Sequence, residues 1–177
     1  SSDLDGIPIN QVSHVHGQGY LDLHFLIPEV IRRIRVLKGP FDARLGNFST
    51  AGSIRFETEP HRPEPLGLKV GAGMFSTLQL TGALSVGQPR RGALLALQAE
   101  QTDGYTDPGD LAALRAFARA RTFERGGWTL DAVYAGYAAR SRAADTLPLA
   151  WIRAGRIDRF QALDDSNRVD VDRHLTG

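Results

Sequence analysis

Two kinds of side chain in this sequence are typed and spaced for chemistry: histidines early in the chain and arginines repeated along a later stretch. In "QVSHVHGQGYLDLHF", His14 and His16 alternate, so on an extended chain their imidazoles share one face, and His24 could bring a third nitrogen to a zinc- or copper-type ion. Three histidines in a stretch without regular periodicity are more often simply polar, so no metal site is expected. In "ALRAFARART", Arg115, Arg119 and Arg121 share one face of an alternating run and form a basic stripe, which could attract an anionic ligand. Arg32, Arg33, Arg35 and Lys38 also cluster, but their alternation with Ile31, Ile34, Val36 and Leu37 marks a half-buried element rather than a nucleic-acid interface. There is no nucleophile-base-orienter arrangement, phosphate loop or paired-carboxylate signature, so no catalytic residue and no cofactor are expected, and the chain is not read as an enzyme.

Composition narrows the class. The 177 residues can bury one good core, or carry one domain and part of another. A formal charge of +1 implies neither nucleic acid nor an anionic membrane surface as partner. The absence of cysteine excludes disulfides and thiolate metal sites. No apolar run approaches the roughly 20 residues of a spanning helix. A transmembrane β-barrel stays open, because half of each barrel strand is free to be polar.

The elements that must position these residues fall into two parts. The seam is "EPHRPEPLG", residues 59–67, where three prolines forbid regular structure. Before it, residues 7–10 read as a short strand. "PEVIRRI" reads as a short helix, with Pro28 in its first turn and Glu29 beside its positive end. "IRVL" and "SIRFET" read as strands. After the seam, five segments near ten residues long alternate with period two. Leu66, Leu68, Val70, Ala72 and Met74 share a face that excludes Lys69. Leu78, Leu80, Gly82, Leu84 and Val86 oppose Gln79, Thr81, Ala83 and Ser85. Leu95, Leu97 and Ala99 oppose Ala96 and Glu100, with Leu94 the one misplaced leucine. Leu114, Ala116, Ala118 and Ala120 oppose the arginine stripe, and Trp128, Leu130, Ala132 and Tyr134 oppose Thr129 and Asp131.

Every interior charge of these segments therefore lies opposite the main apolar set. A barrel in lipid demands this, because a charge facing lipid near the bilayer midplane costs about 2–4 kcal/mol. A soluble β-sandwich shows a similar alternation and remains the rival on pattern alone. The connections favour the barrel: tight "GQPRRG" and "ERGG" turns alternate with "DGYTDPGDL" and a long stretch from residue 141 to about 167. Trp128 beside "ERGG" suits an aromatic girdle. Small barrels need about eight strands, so the chain is expected to be a fragment or to associate with other strands.

The first part also resembles a known family in three stretches, in order, the middle one holding two of its segments. "LDGIPIN", "LIPEVIRRIRVLKGPFDARLG" and "AGSIRFETE" resemble the second half of the plug domain of TonB-dependent outer-membrane receptors, over about residues 3 to 60. "HVHGQGY" and "AGRIDRF" resemble one branch of that family. The fold class this implies is mainly β: an α+β plug portion followed by antiparallel up-and-down strands of a transmembrane barrel, incomplete at about five to six of about 22 strands. Residues 1–60 would be the C-terminal half of the plug, 61–65 a linker, and 66–177 the first barrel strands with their extracellular loops.

The family implies a bacterial outer-membrane location and uptake of a scarce small-molecule nutrient, such as a ferric siderophore, cobalamin or an oligosaccharide. It also implies a periplasmic TonB-type energy-coupling protein as partner, though the coupling box is absent from this sequence, and outer-membrane lipid as surroundings. The rivals are a signalling receptor of the same architecture and a soluble β-sandwich binding module. The resemblance makes Gly6, Pro8, Pro28, Lys38, Gly39, Pro40, Gly46 and Gly52 structural residues of the plug, with the glycines shaping close-packed turns. The family usually has arginine where Lys38 stands; lysine keeps the charge of the plug-to-wall lock but loses the planar fork. His14, His16, Gln18 and Tyr20 fall on a loop that in this family rises toward the outside, where they are candidates for ligand contact or for hydrogen bonds within the plug. For the lumen-facing stripe of Arg115, Arg119 and Arg121, pairing with plug carboxylates such as Asp22, Glu29 or Asp42 is favoured over ligand attraction.

Overall fold

The computed structural model describes residues 2–15, 17–45, 49–60, 62–88, 91–125, 128–144, 146–164 and 166–177. His16 and Gly46, both named above, lie outside the described residues.

The fold is mainly β, in two sheets among the described residues. The small sheet has four strands, β1 (Ser2–Leu4), β2 (Ile7–Pro8), β3 (Ile31–Lys38) and β4 (Gly52–Thr58), in the order β2-β1-β4-β3. β1 lies parallel to β4, and the other pairs are antiparallel. The Asp-Gly pair of "LDGIPIN" makes the β1–β2 turn: Asp5 (φ 53°) and Gly6 (φ 89°) both sit at positive φ, as the tightest hairpins require. Gly52 is needed for a different reason. At φ 147°, a Cβ there would lie 2.2 Å from the Leu37 carbonyl oxygen, so only hydrogen fits against the facing strand.

One expected element is different. "PEVIRRI" is not a helix but a single 3-10 turn at Pro28–Val30, after which β3 begins at once. Pro28 opens the turn as expected, but the β-branched Ile31, Ile34 and Val36 favour the extended ladder against β4. Tertiary pairing outweighs three residues of helical start signal.

The large sheet is a six-stranded antiparallel meander in sequence order: β5 (Leu66–Ala72), β6 (Leu78–Gln88), β7 (Arg91–Thr102), β8 (Leu111–Arg125), β9 (Trp128–Arg142) and β10 (Arg168–Thr176). Two-residue connections follow β6 and β8, whereas longer ones follow β7 and β9. The loop after β9 carries the five-residue helix α1 (Leu149–Arg153). The two long loops are tied together: Asp107 N–H donates to the Phe160 carbonyl at 2.7 Å, and Ala162 N–H to that of Asp107 at 2.9 Å.

The small sheet packs on one face of the large one, and a single apolar cluster spans both. Leu4, Ile9, Phe25, Ile27, Val30 and Phe56 meet Ala83, Leu94, Ala96, Phe117, Val133 and Ala135. The covered face of the large sheet is rich in alanine, and these short side chains leave room for the larger ones opposite. Leu94 is not misplaced: it is fully buried, a leucine seated where the covered face needs bulk. The other leucines point away. Leu68 is 74 % exposed and Leu97 60 %, and Leu66, Val70, Leu80, Leu84, Leu95, Leu114 and Leu130 join them on the uncovered face. Trp128, the first residue of β9, is exposed. A water-soluble sandwich hides its large aliphatics between its sheets; here they face outward and the polar residues face in.

Candidate functional site

The polar residues of the covered face meet the small sheet in two clusters. In the first, Lys69 Nζ donates to Glu29 Oε1 at 2.6 Å, and the fully buried Gln98 donates to Thr81 Oγ1 at 2.9 Å and Glu29 Oε2 at 3.3 Å. Gln98 also accepts from Arg115 Nη1 at 3.0 Å, which donates in addition to Glu100 at 2.8 Å. Arg115 Nε donates to the His24 carbonyl at 2.5 Å, and its guanidinium lies over the Tyr137 ring at 5.3 Å. Period-two alternation places all these groups on one face, and antiparallel register aligns Thr81 with Gln98 and Gln98 with Arg115. Burial pushes the Glu29 carboxyl up, but the hydrogen bond and charge of Lys69 outweigh it, so Glu29 titrates below its ordinary value.

The second cluster centres on Arg119. Its Nη1 donates to Asp5 Oδ1 at 2.7 Å, to the Thr58 carbonyl at 2.7 Å and to Thr58 Oγ1 at 3.0 Å. Asp5 in turn accepts from Thr58 N–H at 2.8 Å and Thr58 Oγ1–H at 2.6 Å. The side chains of Arg119 and Asp5 are only 9 % and 4 % exposed. Beside them Arg121 grips Asp131 with two bonds of 2.8 Å, a bidentate pair.

Each arginine of the basic stripe meets a carboxylate: Arg119 that of Asp5 on the small sheet, and Arg115 and Arg121 those of Glu100 and Asp131 on the large sheet itself. Asp5, not Asp22, Glu29 or Asp42, takes Arg119; Glu29 goes to Lys69 and Gln98; Asp22 hydrogen-bonds His24. The reason is register: Arg119 lies opposite the β1–β2 turn, where positive φ turns the Asp5 carboxylate toward the large sheet. Lys38 is exposed and makes no ion pair among the described residues. The tie between the sheets therefore has its carboxylate on the small sheet and its guanidinium on the large one.

The loop of residues 11–24 is the second candidate region. Gln11 and Tyr20 close its neck through a 2.8 Å backbone bond, and the His14 ring stacks on Tyr20 at 4.1 Å between centroids and 10° between planes. Gln18 is exposed, and Val12 and Val15 expose apolar surface beside them. His24 does not join His14: its ring hydrogen-bonds Asp22 at 2.6 Å. Burial raises the Asp22 carboxyl, but hydrogen bonds from the His24 backbone and ring and the charge of Arg173 outweigh that and leave it below its ordinary value. Among the described residues, no three histidines, aspartates or glutamates are placed to hold a metal ion. Arg173 of β10 escaped the sequence reading. It donates to the Asp22 and Ile9 carbonyls at 2.8 Å each and lies over the Phe25 ring, so it holds both ends of this loop. Its signal is the alternation of "RVDVDRHLT", beyond the long stretch that ends near residue 167 and where a sixth strand could begin.

No protein-family model matches the chain, and no curated protein matches it in sequence. Among solved structures it is similar to the copper transporter OprC, with a TM-score of 0.63 and 18% identity over 82% of this chain. The chain spans 23%, less than a quarter, of that transporter's length. At this identity the likeness lies in the fold: a small sheet seated against an antiparallel meander is an arrangement this chain shares with part of a transporter.

Proposed function

We propose that this chain is part of an outer-membrane receptor of the TonB-dependent type, comprising the second half of a plug and the first strands of the barrel that surrounds it. It would serve energy-coupled uptake of a scarce small nutrient. The observation that carries this reading is the inverted burial of the large sheet. Its leucines face outward, while Gln98, Arg115 and Arg119 are buried against the small sheet. In water such a surface is a large unexplained apolar patch; in a bilayer it is the lipid-facing band of a barrel wall. The fold shared with a transporter supports the same assignment.

On this reading residues 1–60 form plug, 61–65 linker, and 66–177 wall and outer loops. The loop of residues 11–24, with His14 stacked on Tyr20 and with Gln18 exposed, is the surface offered to the ligand. The energy-coupling protein would act on the full-length receptor.

The similar structure transports copper, so the test compares a metal with a chelate. A strain lacking the gene is grown under iron, copper or cobalamin limitation, and uptake is measured with and without the proton gradient. Loss of energy-dependent uptake of one nutrient, restored by the wild-type gene and reduced by Tyr20→Ala, is the expected result. Recovery of the protein in the soluble fraction, with uptake unchanged, would sink the proposal.

A further inference from the structure

At the seam between the sheets, Arg32 and Arg33 of β3 and Arg119 and Arg121 of β8 line one polar cleft of about 190 Å³, together with Glu57 and Glu59. Four guanidiniums face two carboxylates on its surface. Asp5 and Asp131 stand behind Arg119 and Arg121, and Arg35 takes Glu57 Oε1 at 2.8 Å, which leaves the neighbourhood with one net positive charge. Donors exceed acceptors as well. Arg32 pairs with Glu59, but Arg33 has no acceptor closer than Glu57 at 3.8 Å among the described residues, because Arg35 occupies that carboxylate. Arg119 is nine-tenths buried, and its Nε–H has no partner among the described residues.

We propose that this cleft binds a phosphate group. Surplus planar guanidinium donors around a small polar space match the tetrahedral, multiply charged oxygens of phosphate better than a single carboxylate, and the buried Arg119 gives the site a fixed floor. A phosphate held there bridges Arg33 on one sheet to Arg121 on the other. Binding is thereby coupled to the seating of the small sheet, and phosphate raises the resistance of the joined structure to unfolding. The proposal concerns this seam alone and does not depend on what the whole protein transports.

The test uses the purified protein in lipid nanodiscs. Thermal unfolding is followed against inorganic phosphate, with chloride added to hold ionic strength constant. The midpoint should rise with phosphate in the wild type, and Arg33→Gln, an exposed residue outside the Arg119 node, should weaken apparent affinity by about tenfold, as expected for losing one charge-assisted contact. A phosphate monoester run in parallel separates the sources: equal stabilisation assigns the site to a phosphate carried on a larger solute, and stabilisation by inorganic phosphate alone assigns it to the free ion. No phosphate-specific shift, or the same shift in Arg33→Gln, overturns the proposal. Should the protein not enter nanodiscs, which counts against the membrane reading, the same titration in detergent micelles decides the phosphate site by the same two criteria.

Discussion

Replacing Arg119 by alanine is the sharpest perturbation the structure offers. The substitution leaves Asp5 buried at 4 % exposure without its counter-charge and removes donors from the Thr58 carbonyl and hydroxyl. Breaking one partner of a buried pair destabilises by roughly 3–5 kcal/mol. Asp5 keeps the hydrogen bonds from Thr58 N–H and Oγ1–H, which places the expected loss near the lower end, about 3 kcal/mol. Asp5→Asn should be milder in the Arg119→Ala background than in the wild type, because it removes the stranded charge. A double-mutant cycle should therefore give a coupling of about 2 kcal/mol, within the range for residues in direct contact. The assay is denaturant unfolding in phospholipid vesicles, followed by circular dichroism. If Arg119→Ala lies within about 0.5 kcal/mol of the wild type, as a surface change would, or if the two substitutions simply add, then Asp5 and Arg119 do not form the tie described here.

Three further outcomes follow from other parts of the molecule. Leu97→Arg on the uncovered face should destabilise the protein in a bilayer by about 2–4 kcal/mol, whereas in a water-exposed sheet it would change stability by less than about 0.5 kcal/mol; vesicle unfolding separates the two. Gly52→Ala should cost about 1–3 kcal/mol, since it combines a left-handed φ with a clash against the Leu37 carbonyl. Gly39→Ala should cost less, because although its φ of 86° is also left-handed, what it meets is the movable Phe41 ring rather than backbone; thermal melts rank the pair. Because Glu29 and Asp22 both titrate below their ordinary values, their contribution to stability is present above the unfolded-state values, 4.5 for glutamate and 3.8 for aspartate, and is lost as pH falls through the lower folded values. Stability should thus fall below about pH 4.5, and more gently in Glu29→Gln, when unfolding midpoints are measured across a pH series.

Most of the large sheet was legible in the sequence because period two writes its two faces directly into the chain: Lys69, Glu100, Arg115 and Arg119 could be set against the leucines by counting. The partners of those charges were not legible. A sequence shows which face Arg119 occupies but not its height against the small sheet, and height decided for Asp5 over Glu29 and Asp22. Leu94 departs from the alternation of the other leucines because the covered face carries its own apolar cluster with the small sheet, which period two alone does not reveal. The 3-10 turn at Pro28–Val30 was mistaken for a helix because Pro28 and Glu29 signal only how a helix starts, and the β-branched residues behind them decide whether it continues. The His14–Tyr20 stack could not be foreseen from spacing, since loop closure at Gln11 and Tyr20 creates it.

The parallel placement of β1 beside β4 sets how a mechanical load would travel. Tension along the backbone ahead of Ser2 meets the ladder between Ser2–Leu4 and Ile54–Phe56, whose bonds lie across the pull and share it in shear instead of parting one by one. One residue past Leu4 stands Asp5, which hands the remaining load to Arg119 and so to the large sheet. Along this line the load passes from that short ladder through Asp5 to Arg119, while the Lys69–Glu29 pair, the Arg173 contacts and the shared apolar cluster hold the sheets together beside it.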